Sequence, residues 1–270
     1  PIFVFGLGRS GTTFVHRLMS LDPNLRAPRL WELLAPVPQI DGKSTVEEFK
    51  ADRKYRNEFV REKVKQRSIL GVNAMEQFHE IGPDLPEECM MGISADLPTC
   101  FQYLYTCLCQ PQIFTENIKG KAVVDAYKRY KSLLQLLTYQ TKIDDNDDGS
   151  GHNRNWLLKF PVHILFIKEL AEAFPDARMV WAHRHPLPTV ASLSAMMCAL
   201  HSIYYEKETC DKKEVGGNMA DLCEKALMKA LKDLEETGLE TSHVIFNKLV
   251  EDPISVVKDI YKDFDMEYTK

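Results

Sequence analysis

The sequence predicts a three-layer α/β fold with a central parallel sheet flanked by helices, and three observations support it. An apolar run, Ile2-Phe3-Val4-Phe5, stops at Gly6, passes through a Gly/Ser/Thr loop and resumes with Phe14, Val15, Leu18 and Met19 at helical spacing. Downstream, strands and helices alternate: a strand at Trp156-Leu157-Leu158, a helix from Ile164 to Phe174, a strand from Ala177 to Ala182, and a helix from about Pro188 to Tyr205. Alternation of this kind sets parallel strands side by side with helices on their faces. Finally, 270 residues that are 44% hydrophobic and 27% charged have ordinary globular proportions, which excludes a disordered or fibrous chain.

The remaining elements follow from local signals. Asp22-Pro23-Asn24 closes the first helix, and Arg29 to Leu34 reads as a second strand before the proline-rich Ala35-Pro36-Val37-Pro38. Residues 44–79 read as a charged helix, 83–111 as a mixed apolar segment carrying Glu87 and Glu88, and Val123 to Thr141 as a long helix. The acidic run from Asp144 to Asp148, closed by Gly149-Ser150-Gly151, reads as a solvated loop, because it lacks the spaced ligands and closing glutamate of a calcium loop. Val244-Ile245-Phe246 is the last strand, and a helix follows Asp252-Pro253. With no internal repeat and no linker composition, residues 1–270 are expected to form one domain.

A net charge of −5 argues against a nucleic-acid partner, while leaving room for a local basic pocket. The seven cysteines are odd in number and irregularly spaced, unlike a disulfide framework or a zinc ribbon, and favour a reducing compartment. No apolar run approaches the roughly 20 residues that span a bilayer. The expected location is therefore the cytoplasm, with the Golgi lumen the alternative if an N-terminal anchor has been removed.

Chemistry first enters at Gly6-Leu7-Gly8-Arg9-Ser10-Gly11-Thr12-Thr13, between the first strand and helix. Glycines let such a loop curl so that backbone N–H groups and the helix dipole converge on one anion. Three anions compete. A nucleoside-triphosphate loop needs lysine where Thr12 stands. A dinucleotide fingerprint fits Gly6, Gly8 and Gly11, with Glu32 about 20 residues on as the ribose acid. However, Arg26-Ala27-Pro28-Arg29-Leu30-Trp31 makes a poor buried parallel strand.

The third reading is a resemblance. Gly8-Arg9-Ser10-Gly11-Thr12-Thr13-Phe14 is similar to the 5'-phosphosulfate loop of sulfotransferases that use 3'-phosphoadenosine 5'-phosphosulfate (PAPS). Arg178-Met179-Val180-Trp181-Ala182-His183-Arg184-His185-Pro186, continuing to Ser192, resembles the family's 3'-phosphate motif. A lone arginine after a strand is ordinarily a surface group. Here Arg184 and Ser192 would supply the cation and hydroxyl that a 3'-phosphate needs, in the order and approximate spacing of the family. His185 departs from the family, which often has Asp or Asn there. The likeness is strongest at these two motifs and poor between about 40 and 150. It is closer to the broad branch with Gly-Arg-Ser-Gly-Thr-Thr loops than to the cytosolic steroid and phenol enzymes.

The resemblance implies a P-loop-like fold, PAPS as donor, adenosine 3',5'-bisphosphate (PAP) as product, and a small-molecule or carbohydrate acceptor. It assigns Gly8, Arg9, Ser10, Gly11, Thr12, Thr13, Phe14, Arg184 and Ser192 to the donor. Arg9 is the expected stabiliser of the leaving group, and Lys159, closing the strand Trp156-Leu157-Leu158, is the second. Glu32 is the leading candidate base, since Leu21-Asp22-Pro23 through Trp31-Glu32 repeats an arrangement of glycosaminoglycan and tyrosyl-protein sulfotransferases. His163 is the runner-up, since Lys159-Phe160-Pro161-Val162-His163 sits near where the cytosolic branch keeps Lys-Thr-His, although the aligned position holds Pro161 and His163 would substitute from two residues away; His79 and Glu88 follow. The Met- and aromatic-rich stretches 89–105 and 194–205 are either acceptor pocket or plain core. An NAD(P)-dependent oxidoreductase and a catalytically silent nucleotide-binding protein are the rival functions.

Overall fold

A computed structural model describes residues 1–41, 44–66, 80–93, 119–144, 154–204, 206 and 209–268. Among these residues five strands, β1 (Ile2–Gly6), β2 (Leu25–Arg26), β3 (Asn155–Lys159), β4 (Arg178–His183) and β5 (Thr241–Ile245), form one sheet in the order β2-β3-β1-β4-β5. Every pairing is parallel.

Side chains alternate across a strand, so β1 divides its residues between two cores. Phe3 and Phe5 join Leu158, Met179 and Trp181 on one face. That face is covered by α5 (Lys121–Asp144), α6 (Ile167–Ala173) and α8 (Lys212–Thr237), through residues such as Tyr130, Leu170 and Ala226. Ile2 and Val4 join Leu157, Val180 and Val244 on the other. There α1 (Thr12–Met19), α9 (Phe246–Glu251) and α10 (Pro253–Asp263) contribute Val15, Met19, Leu249, Val257 and Ile260. All five β1 residues are buried, and each large apolar side chain so placed contributes about 1.5–3 kcal/mol. Three layers follow from that double burial.

Outside the layers, α2 (Leu30–Leu34), α3 (Val46–Lys65) and α4 (Met90–Ile93) pack as a side cluster, and α7 (Pro186–Tyr204) packs on α8. The segment read as a second strand is instead α2. Glu32 accepts the Arg29 N–H at 2.8 Å and Leu33 N–H reaches the Arg29 carbonyl at 3.2 Å, which closes a helical turn directly after Pro28. The second strand is the two-residue β2, before Pro28. Phe246 opens α9 rather than ending β5, and a 3₁₀ turn over Pro161–Leu165 precedes α6. Asp252 caps α10 by accepting the Ser255 N–H, as its Asp-Pro start predicts. No helix among the described residues is long and apolar enough to cross a membrane. The acidic run beyond Asp144, His79 and most of 89–105 lie outside the described residues.

β1 occupies the middle, with β3 and β4 on either side, so the chain leaves it in one direction and later crosses to the other. Open parallel sheets bind ligands at the carboxyl ends of strands around such a switch. At that edge the chain places the loop after Gly6, Lys159 at the end of β3, and Arg184 just after β4.

Candidate active site

The loop after β1 is shaped by two glycines. Gly6, at φ 150°, lies so close to β4 that a Cβ there would stand 2.4 Å from the Ala182 carbonyl oxygen. Gly11 precedes α1 at φ 95°, and a Cβ on it would meet Phe246 at 2.9 Å. Between them Ser10 is buried, its hydroxyl donating to the Leu7 carbonyl at 2.6 Å and tightening the turn. Gly11 has no side chain to cap α1, so the first-turn N–H groups of Thr12, Thr13 and Phe14 remain a donor set for an anion.

Arg9 is left-handed at φ 70°, a conformation that costs a non-glycine residue free energy and needs external support. Two distant residues supply it. Arg184 Nη1 donates to the Arg9 carbonyl at 2.9 Å, and Arg9 Nε donates to Ser192 Oγ at 3.2 Å. The two motifs that the sequence suggests as halves of one pocket are therefore bonded to each other. Ser192 lies on α7, one face of which carries Leu193 to within 3.1 Å of where a Gly8 Cβ would be. The Arg184 guanidinium also rests over the Phe246 ring, 4.2 Å from its centre. Sequence reading placed Phe246 in a strand and so missed this support; its position at a strand-to-helix turn was the available signal. Before α7, His185 Nδ1 accepts the Leu187 N–H at 3.3 Å, serving as an Asp or Asn side chain would at that turn.

Lys159 is almost fully buried. Its ammonium donates to Thr13 Oγ1 at 3.2 Å, at the first turn of α1, and pairs closely with Glu88. The Lys159 carbonyl in turn accepts the Cys89 N–H at 2.8 Å, docking the segment 83–89 on the end of β3. Burial pushes the Cys89 thiol up to about 12, leaving it protonated and inert. Glu88, a minor candidate from sequence, thus meets Lys159 next to the first turn of α1.

Glu32 is buried on α2, with both oxygens engaged: Oε1 accepts Arg26 Nη2 at 2.8 Å and Oε2 the Arg29 N–H. It stands on a helix rather than at the end of a strand, where a ribose-binding acid belongs in a dinucleotide fold. His163 is fully buried among Phe3, Phe160 and Tyr127, and its Nδ1 lies 2.6 Å from the Tyr127 hydroxyl. Burial, assisted by the Lys159 charge, lowers its pKa to about 3, so it is neutral at working pH. The structure thus joins Arg9, Thr13, Lys159, Arg184 and Ser192 at the strand ends, and sets Glu32 in the side cluster and His163 in the core. Phe14 is partly exposed on α1. Beside Arg184, His183 Nε2 lies 2.8 Å from His243 Nδ1, and burial with the His243 charge lowers the His183 pKa to about 4.

The sequence profile of the sulfotransferase family matches residues 1–270. Among solved structures, sulfotransferase STF9 from Mycobacterium avium is 26% identical and superposes with a TM-score of 0.75, over 100% of this chain and 64% of STF9. The chain therefore spans a little under two thirds of that protein. Sulfotransferase STF1 from Mycobacterium tuberculosis H37Rv, 23% identical, shares the fold with a TM-score of 0.66 over 100% of this chain and 68% of its own. No curated protein sequence matches the chain.

Proposed function

The chain belongs to the sulfotransferase family, and from that premise we propose that it moves a sulfonate group from PAPS to a hydroxyl or similar group on a small-molecule or carbohydrate acceptor. One observation carries the reading: Arg184 and Ser192 are hydrogen-bonded to Arg9 inside the glycine loop. A nucleotide with phosphates at both its 5' and 3' positions is the ligand that needs both motifs at once.

In this transfer the acceptor oxygen forms a bond to sulfur while the bond from sulfur to the 5'-phosphate oxygen breaks. The leaving phosphate keeps the electron pair, and the acceptor proton passes to a base. Positive charge near the bridging oxygen lowers the barrier, a task that magnesium performs in many phosphoryl transfers and cationic side chains perform here. The α1 first turn and Arg9 hold the 5'-phosphosulfate. Lys159, held at Thr13, brings its charge to the same turn. Arg184 and Ser192 take the 3'-phosphate. Glu32 is the base in this reading; an ionised carboxylate has about four lone-pair sites, two of which its present partners use. The ion pair of Glu88 with Lys159 supports a second reading, in which Glu88 accepts the proton.

The donor assignment is tested by thermal denaturation with PAP and with AMP. PAP should raise the melting temperature by several degrees more than AMP at equal concentration. An equal response to the two nucleotides overturns the assignment.

A further inference from the structure

Beside the side cluster lies a cleft of about 440 Å³ whose walls are strongly cationic. Arg29, Lys50, Arg53, Lys54 and Arg61 line it against a single acid, Glu58. This is the reverse of the chain as a whole, which carries a net charge of −5. Two of the cations are partly matched: Arg61 pairs with Asp84 at the rim and Lys54 lies 3.9 Å from Glu58. Arg29 and Lys50 make no ion pair among the described residues. The Arg53 guanidinium lies 5.6 Å from the centre of the ring of Trp31, another lining residue. Trp31 is buried and its indole N–H has no acceptor among the described residues.

Geometry gives the cleft a direction. Lys50, Lys54, Asn57 and Arg61 recur at intervals of four, three and four residues and so form one stripe of α3, about 16 Å long, with a polar group every helical turn of about 5.4 Å. A stripe of that kind matches a chain of regularly spaced anions better than a single one. One wall of it is tied to the candidate site through the chain: Arg29 forms an antiparallel bridge with Pro86, two residues before the Glu88 that pairs with Lys159.

We infer that this cleft binds the acceptor, and that the acceptor is an acidic oligosaccharide whose carboxylate or sulfate groups run along α3. The inference rests on the reading of the chain as a sulfotransferase; binding at the cleft can be measured without turnover. Calorimetry with the full chain would compare a hexasaccharide of alternating uronate and hexosamine with its carboxyl-reduced, neutral counterpart and with a single-stranded RNA hexamer. The uronate hexasaccharide should bind, weaken as salt rises, and lose at least tenfold in affinity in the Lys50→Glu/Arg53→Glu variant, which keeps the thermal response to PAP. Absence of binding, equal binding of the neutral sugar, an unaffected variant, or RNA bound at least as tightly each overturns it. A missing PAP response in the unaltered protein sinks the donor reading instead and leaves the cleft measurement valid.

Discussion

The proposed donor end and the proposed acceptor end of this site are built by opposite means. The donor end is mostly backbone: a loop bent by Gly6 and Gly11, an uncapped helix start, and a strained Arg9 held by Arg184 and Ser192. The acceptor end is side chains, with Glu32 between Arg26 and the Arg29 N–H, Glu88 on Lys159, and the cationic stripe of α3. Preformed amides recognise a phosphate through geometry that the chain path itself creates. A proton acceptor and a cation stripe are defined by which side chains tertiary packing brings together, so they are easier to change without unfolding the protein.

The hardest break comes at the donor end. Gly6→Val would drive a side chain into the β4 backbone, and this variant should recover little folded protein, as judged by circular dichroism, whereas Lys50→Glu on exposed α3 should fold normally. Next, Glu32→Gln should lower turnover by roughly 10² to 10⁴, the usual contribution of a general base, while the PAP-induced shift persists. If Glu88→Gln produces that loss and Glu32→Gln does not, the base passes to Glu88. Arg184→Ala should reduce the preference for PAP over AMP by about 100-fold, near the 3 kcal/mol of a charge-assisted contact, and leave any binding of an acidic oligosaccharide unchanged.

The smallest effect concerns pH and the core. His163 is neutral in the folded protein, with its pKa lowered to about 3 from 6.5, so the unfolded chain binds the extra proton between those values. Its contribution to stability is complete above about pH 6.5 and falls by about 1.4 kcal/mol per pH unit as the solution is acidified toward pH 3. His163→Gln should flatten that slope in denaturant titrations at pH 5 and pH 7. An unchanged slope would mean that the ring is reached by solvent.

Legibility differs along the same divide. The glycine loop and the Arg184 to Ser192 segment were readable because each is a local signal, one strand-to-helix turn apiece with a fixed residue order. The Arg29 to Leu34 segment was misread as a strand because Leu30, Trp31, Glu32 and Leu33 are all buried, which leaves neither a two-residue nor a helical period. Phe246 under Arg184 and Glu88 beside Lys159 are contacts across 62 and 71 positions, with no local trace.

The sequence by itself determined the parallel sheet, the glycine loop between β1 and α1, and the family, because strand alternation, turn glycines and helix starts are dictated within a few residues. Only the tertiary structure decided that Arg184 and Ser192 close on Arg9, that His163 is sealed in the core, and that α3 presents its cations to one cleft beside α2. Those outcomes depend on which helices cover which face of the sheet, and burial, desolvation and charge pairing act on neighbours in space rather than on neighbours in the chain.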